Sequence, residues 1–281
     1  MLAGAGDLAL NTIPPLLLPL FERPGFRVQT ERGVGTTYLG VNLEQPALRD
    51  IRVRQAIAHA IDRAKLIDYK LSGRALAARS WIAPSHWAFD PSTPSYDFDP
   101  VRARALLREA GYTPGEDGFA LSLTVRTSSD RGVVSIARAL SSMLRDVGID
   151  LDVRPSEGAT LLADLSRGRF ELAFLQSPDV VEPHVLSWFF ASDRIPVPGK
   201  REGANRWRLR DPELDQALEQ GRATTDRTSR VDAYHRVQHL LARDLPVIPL
   251  WHEDVVAVTS ARLSDFRVPR DARLGTLVRN R

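Results

Sequence analysis

The sequence predicts an α/β protein, and three stretches near its centre carry that expectation. Phe119, Leu121, Leu123 and Val125 alternate as the inward face of a half-buried strand does. Val133, Ile136, Ala137, Leu140, Met143, Leu144 and Val147 then share one face of a helix, which Gly148 ends. Ile149, Leu151 and Val153 alternate again, residues 159–166 read as a short helix, and Phe170 to Leu175 as another strand. A β-α-β-α-β run of this kind implies a sheet with helices packed upon it.

Other elements flank the run. Asp50 is placed to accept hydrogen bonds from the first free N–H groups of a helix. Val53, Ile57 and Ile61 recur every fourth residue beside Ala56, Ala60 and Ala64, giving one apolar stripe. Asp99 with Pro100 is an N-cap followed by proline at the first helical position, and Gly111 lies just beyond that helix. Two further helices are expected near 212–221 and 227–243, ahead of the Pro246–Pro249 segment. Val255, Val256 and Val258 read as a strand. The Pro-, Gly- and Arg-rich stretch 194–212 reads as a long loop with few apolar anchors.

Composition bounds the rest. At 281 residues, 43% hydrophobic and 26% charged, the chain can bury one large core or two smaller ones. Net charge is +3 with alternating signs, which demands no anionic partner. Zero cysteine excludes disulfides and thiolate metal ligands. Residues 8–21 are apolar, but Asp7 precedes them and Pro14, Pro15 and Pro19 interrupt them, so neither a signal peptide nor a membrane span fits. Gly4-Ala5-Gly6-Asp7-Leu8-Ala9 matches G-x-G-x-x-A without a preceding strand, which argues against a dinucleotide site. No nucleophile elbow or phosphate loop is present.

Five motifs, in order, resemble one family. They are Tyr38-Leu39-Gly40-Val41-Asn42 with the stretch Asp50 to Arg63, then Tyr96-Asp97-Phe98-Asp99-Pro100 with Ala105 to Tyr112. Val147-Gly148-Ile149, Asp211-Pro212-Glu213-Leu214-Asp215 and Asp244 to Leu250 follow. This pattern resembles the extracellular solute-binding proteins of family 5, which feed peptide and nickel ABC importers. The resemblance implies a periplasmic-binding-protein type II-like fold holding lobe III and the C-terminal pieces of lobe I. Residues 1–42 would end lobe I, 43–253 would form the ligand-binding lobe III, and 254–281 would return to lobe I. Crossings near Asn42 and Asp254 would be the hinge. The chain would correspond to the C-terminal half of a longer protein, whether an expressed fragment, a truncated gene or a minimal paralogue.

The resemblance also implies a binding loop, Gln176-Ser177-Pro178-Asp179-Val180-Val181-Glu182-Pro183-His184, after a buried strand. Asp179 falls where the family's aspartate pairs with the α-ammonium group of bound peptides, and Glu182-Pro183 falls on its acidic-Pro pair. The same residues also read as an ordinary turn. Gln176 stands where a tryptophan is usual and Ala173 where oligopeptide binders carry arginine, so an aromatic wall and a cation must come from elsewhere. Arg126 falls within one residue of the arginine that grips a dipeptide's carboxylate. Otherwise it is a solvated strand-end residue. His184 follows proline, as in some nickel-chelate binders, yet no ligand cluster surrounds it in sequence.

His235 and His239, at i and i+4, can hold a metal but read better as a solvated helix face. Lys200, Arg201, Arg206, Arg208 and Arg210 around Trp207 form a basic-aromatic patch that reads as a solvated loop. The expectation is a binding protein with no chemistry and no cofactor, extracytoplasmic in its full-length form. Its partners would be a peptide or other small solute, ABC permease subunits, the remaining lobes, and possible further copies of itself. A sensing domain of a cytoplasmic regulator, a hydrolase, and a binder of an oligosaccharide, opine or metal chelate are the alternatives.

Overall fold

A computed structural model describes residues 6–197, 203–263 and 265–268. Two sheets organise it. The larger has six strands in the order β4 (Ala75–Ala77), β8 (Val247–Glu253), β3 (Thr37–Val41), β7 (Leu172–Gln176), β5 (Leu121–Ser128) and β6 (Ile149–Ser156). Within it β5 runs parallel to β6 and β7, while β3 is antiparallel to both β7 and β8. The smaller sheet has β9 (Val255–Ser260) between β1 (Leu8–Leu10) and β2 (Phe26–Glu31).

Helices cover both faces of the large sheet, as its buried strands require. One face packs on α2 (Ile51–Ala60), α3 (Arg63–Leu71), α4 (Pro100–Glu109) and α5 (Arg131–Arg145), with Leu39, Leu123, Leu172 and Ile248 beneath them. The other packs on α6 (Gly158–Ser166), α7 (Val185–Phe190), α8 (Pro212–Ala223) and α9 (Arg227–Asp244) around Tyr38, Trp81 and Trp207. Gly40 faces Trp207 so closely that a Cβ on it would lie 2.0 Å from the indole ring.

The stripe expected from Val53 through Ala64 is two helices. Ile61 is extended, and the Asp62 carboxylate accepts from Lys65 N, capping α3. A local side-chain hydrogen bond of this kind competes with continuation of the preceding helix. The stretch that carries the family resemblance is scaffolding. Asp50 caps α2 through Arg52 N at 2.9 Å, and Arg54 donates to the carbonyls of Leu48, Arg49 and Asp244. It thereby ties the short helix α1 (Pro46–Arg49) and the end of α9 together.

The described residues of the 194–212 stretch, 194–197 and 203–212, depart from the expected unanchored loop. Ala204, Trp207 and Leu209 are buried. The Asn205 amide donates to Phe190 O, Ala191 O and Leu209 O, satisfying carbonyls that no ladder serves. Arg206 and Arg208 are partly buried too, and burial lowers the pKa of both guanidinium groups. With Trp207 inside, no basic-aromatic surface forms there among the described residues. Lys200 and Arg201 lie outside the described residues, as do Gly4 and Ala5.

The two sheets join through residues 32–36 and Asp254. β3, just before residue 42, is an interior strand of the large sheet. Asn42 lies deep within that unit, donating to Gly168 O and Phe170 O. Arg32 and Asp254 pair at 2.9 Å where the chain passes between sheets. A 3-10 turn at Pro15–Phe21 caps the small sheet, packing Leu18 and Phe21 on Val256 and Val258. Leu16, Leu17 and Leu20 of that turn face outward, 65%, 48% and 53% exposed, an unusual apolar cluster. Among the described residues no helix is long and apolar enough to cross a membrane.

Candidate functional site

Where β7 ends, its chain runs beside the passage between the sheets. Thr37 lies opposite Gln176 on one side and Trp251 on the other. One step further, Ser177 N donates to Thr36 O at 2.8 Å, and Thr36 N donates to Ser177 Oγ at 2.9 Å. Val180 N reaches Val34 O. The loop is therefore laced to residues 34–36 backbone to backbone.

Glycines make that approach possible. A Cβ on Gly33 would sit 2.1 Å from the Glu253 carbonyl oxygen. On Gly35 it would sit 3.2 Å from Asp179 Oδ1, so the half-buried Asp179 carboxylate lies directly against the passage. Gly33 and Gly35 were not singled out from the sequence. Two glycines within four residues, between a strand and a Thr-Thr pair, were the available signal.

His252 is buried at the same junction. Its Nδ1 lies 3.2 Å from Gly35 O and 3.0 Å from Thr36 Oγ1, while its Nε2 is buried with no partner. Burial pushes its pKa down to about 4, so the ring is neutral near pH 7. Thr36 Oγ1 also donates to Trp81 O, joining the passage to the large-sheet core.

Beside the loop lies a cavity of about 240 Å³, walled by Thr37, Val133, Ile136, Phe174, Trp251 and Glu253 with Gln176 at its rim. Trp251 Nε1 and Gln176 Nε2 donate to the two Glu253 oxygens at 3.3 and 3.1 Å. Trp251 thus places an aromatic group beside Gln176 in the cavity wall. The cavity thus combines an apolar wall with the Glu253 carboxylate, while the Asp179 carboxylate lies against Gly35 on the neighbouring passage.

The other expected residues are dispersed. Arg126 reaches Asp164 of α6, with Nη1 3.5 Å from Oδ2. Glu182 accepts from Arg230 of α9 and from His184 N. His184 lies at the start of α7, its Nδ1 2.9 Å from Ser187 Oγ, in a separate groove with Asp215 and Glu219. His239 Nε2 contacts Asp90 Oδ2 at 2.8 Å and His235 Nδ1 lies 3.7 Å from it, pinning α9 to the segment between β4 and α4. Among the described residues no group of three His, Cys, Asp or Glu is arranged to hold a metal ion.

Comparisons with known proteins place the chain in a family. Residues 1–195 match the family model described as bacterial extracellular solute-binding proteins, family 5 Middle. Di/tripeptide-binding protein 1 of Pseudomonas aeruginosa is 24% identical over 268 residues, spanning 95% of this chain and 49% of its own length. Heme-binding protein A of Haemophilus influenzae is 25% identical over 267 residues, 94% of this chain and 48% of that protein. The crystal structure of NikA from Brucella suis in complex with Fe(III)-EDTA superposes with a TM-score of 0.85 at 25% identity, covering 97% of this chain and 57% of that one. The chain spans about half the length of these relatives. It belongs to the bacterial extracellular solute-binding proteins, family 5.

Proposed function

We propose that the chain is the ligand-binding part of an ABC importer's solute-binding protein, which captures a small solute by lobe closure and hands it to membrane permeases. No bond is made or broken. The large-sheet unit serves as the binding lobe, and residues 32–36 with Asp254 are the hinge in place of the crossing expected near Asn42. The protein acts outside the cytoplasmic membrane in its full-length form. Leu16, Leu17 and Leu20 are the surface that the rest of the family architecture covers, or a second copy in its absence.

One observation carries this reading: the Asp179 loop is hydrogen-bonded to the passage itself, through Ser177–Thr36 and Val180–Val34. A carboxylate fixed there enters the cleft as the lobes close, and its attraction for an ammonium group grows as water leaves. Asp179 is the ammonium partner, Gln176, Ser177 and Glu253 shape the pocket beside it, and Glu182 holds the loop through Arg230. Arg126 takes a ligand carboxylate only by sharing its guanidinium with Asp164, and His184 contributes from the far end of the loop.

Short peptides with a free N-terminus are the first solute class. The Gln at 176 and Ala at 173 favour a non-peptide solute as the second reading, an oligosaccharide, opine or metal chelate. A thermal-shift screen of the complete protein against these classes separates them. Stabilisation by free-amino peptides supports the first reading, and stabilisation by sugars or chelates alone removes Asp179 from its role. Residues 1–281 alone, presenting one side of the cleft, should bind peptides no tighter than roughly millimolar, about −4 kcal/mol. Micromolar binding in calorimetry would contradict that.

A further inference from the structure

A second cavity lies on the opposite side of β8 from its β3 partner. Beyond Ala77 the chain leaves the sheet, so the start of β8 has no further strand beside it. Pro249, which lacks an N–H, occupies this edge, as edge prolines do. The segment 78–97 and the end of α9 close over the edge and enclose about 190 Å³.

Apolar groups form most of the wall, among them Trp81, Leu241, Leu245 and Ile248. Two arginines join them. Arg63 donates through Nε to Pro249 O at 2.9 Å and through Nη1 to Tyr96 O at 2.9 Å, a grip that fixes its guanidinium. It has no ion pair among the described residues, and burial lowers its pKa to about 10 despite the nearby Asp97. Arg79, exposed at the rim, donates to Thr93 O at 2.8 Å and likewise has no ion pair among the described residues. Trp81 is buried in the same wall, and its indole Nε1 has no hydrogen-bond partner among the described residues.

The lining carries two guanidinium groups against one carboxylate, Asp97, so an anion is favoured there over a cation. Guanidinium planes favour carboxylates by paired N–H donors. We infer that this cavity is a binding site, separate from the cleft, for a small monocarboxylate with an apolar tail. The carboxylate lies against Arg63 and Arg79, and the tail lies among Trp81, Leu241, Leu245 and Ile248. Asp97, in the same lining, discriminates against dianions.

The test uses the full chain and follows the indole N–H resonances in a titration with sodium hexanoate, assigning Trp81 by its phenylalanine variant. Hexan-1-ol, hexylamine and sodium chloride at equal ionic strength are the controls. Hexanoate should shift the Trp81 signal saturably, with hexanol and hexylamine weaker by about ten-fold or more, since each lacks the charge that arginine recognises. Arg79→Glu changes only an exposed rim residue and should weaken hexanoate by about ten-fold. Ala242→Leu, which fills the cavity, should abolish the shift. No saturable shift up to the solubility of hexanoate, equal effects of acid and alcohol, or a shift unchanged in both variants would overturn the proposal.

Discussion

Single residues explain how closely this chain is packed. Gly40 leaves the space that the Trp207 indole fills, and Trp207 in turn anchors the loop before α8. Gly40→Ala should therefore destabilise the protein by about 2–3 kcal/mol or more, since a buried ring has nowhere to retreat. Urea unfolding monitored by circular dichroism measures it, and a loss below about 0.5 kcal/mol would contradict the packing. His252 gives a pH dependence. Its folded pKa of about 4 lies below the 6.5 of a free imidazole, so the unfolded state binds its proton first on acidification. Its contribution is complete above about pH 6.5 and is lost as pH falls toward 4, up to roughly 3 kcal/mol. His252→Gln should flatten the stability profile across that window, and identical profiles for the two proteins would refute the assignment.

At the scale of elements, the passage between the sheets is built on glycine. A Cβ at Gly33 would meet a backbone carbonyl, which cannot rotate away as a side chain does. Gly33→Ala should cost at least about 2 kcal/mol and loosen the loop contacts at Ser177 and Val180. Hydrogen exchange at those two amides reads the second effect, and unchanged protection would contradict the lacing.

Much of the element order was legible in the sequence, for physical reasons that differ by element. The stripe from Val133 to Val147 is long and one-sided, and α5 follows it closely. The capping aspartates at 50 and 99 mark true helix starts. By contrast β3 is buried on both faces and shows no alternation, so periodicity could not reveal it. Pro249 disguised β8, because a proline is tolerated only where a strand lacks a neighbour. The break at Asp62 and the burial of Trp207 depend on partners distant in sequence. In the candidate site, Asp179 and Ser177 were legible from their loop, whereas Glu253, His252, Gly33 and Gly35 are brought there only by the fold.

For the whole molecule, the arrangement is a large, doubly covered sheet joined by two short passages to a small sheet, with the candidate loop fastened to one passage. The proposed lobe closure needs a relative motion that is easy at the passages and resisted within each unit. That division is what the dense core of the large sheet and the paired segments 32–36 and 254 offer. Breaking the Arg32–Asp254 pair with Asp254→Asn should leave stability within about 1 kcal/mol, because Arg32 is largely exposed. It should alter the rate of ligand association in stopped-flow fluorescence, and a large loss of stability instead would assign the pair a structural role.

Calorimetry on the complete protein, comparing a dipeptide having a free amino group with its N-acetylated form in wild type and Asp179→Asn, tests the central claim most directly. The account predicts micromolar or tighter binding of the free-amino peptide, lost by about 3–5 kcal/mol on either acetylation or substitution, since each leaves one member of a buried charge pair alone. Equal affinity for both peptides, or full affinity in Asp179→Asn, would contradict it.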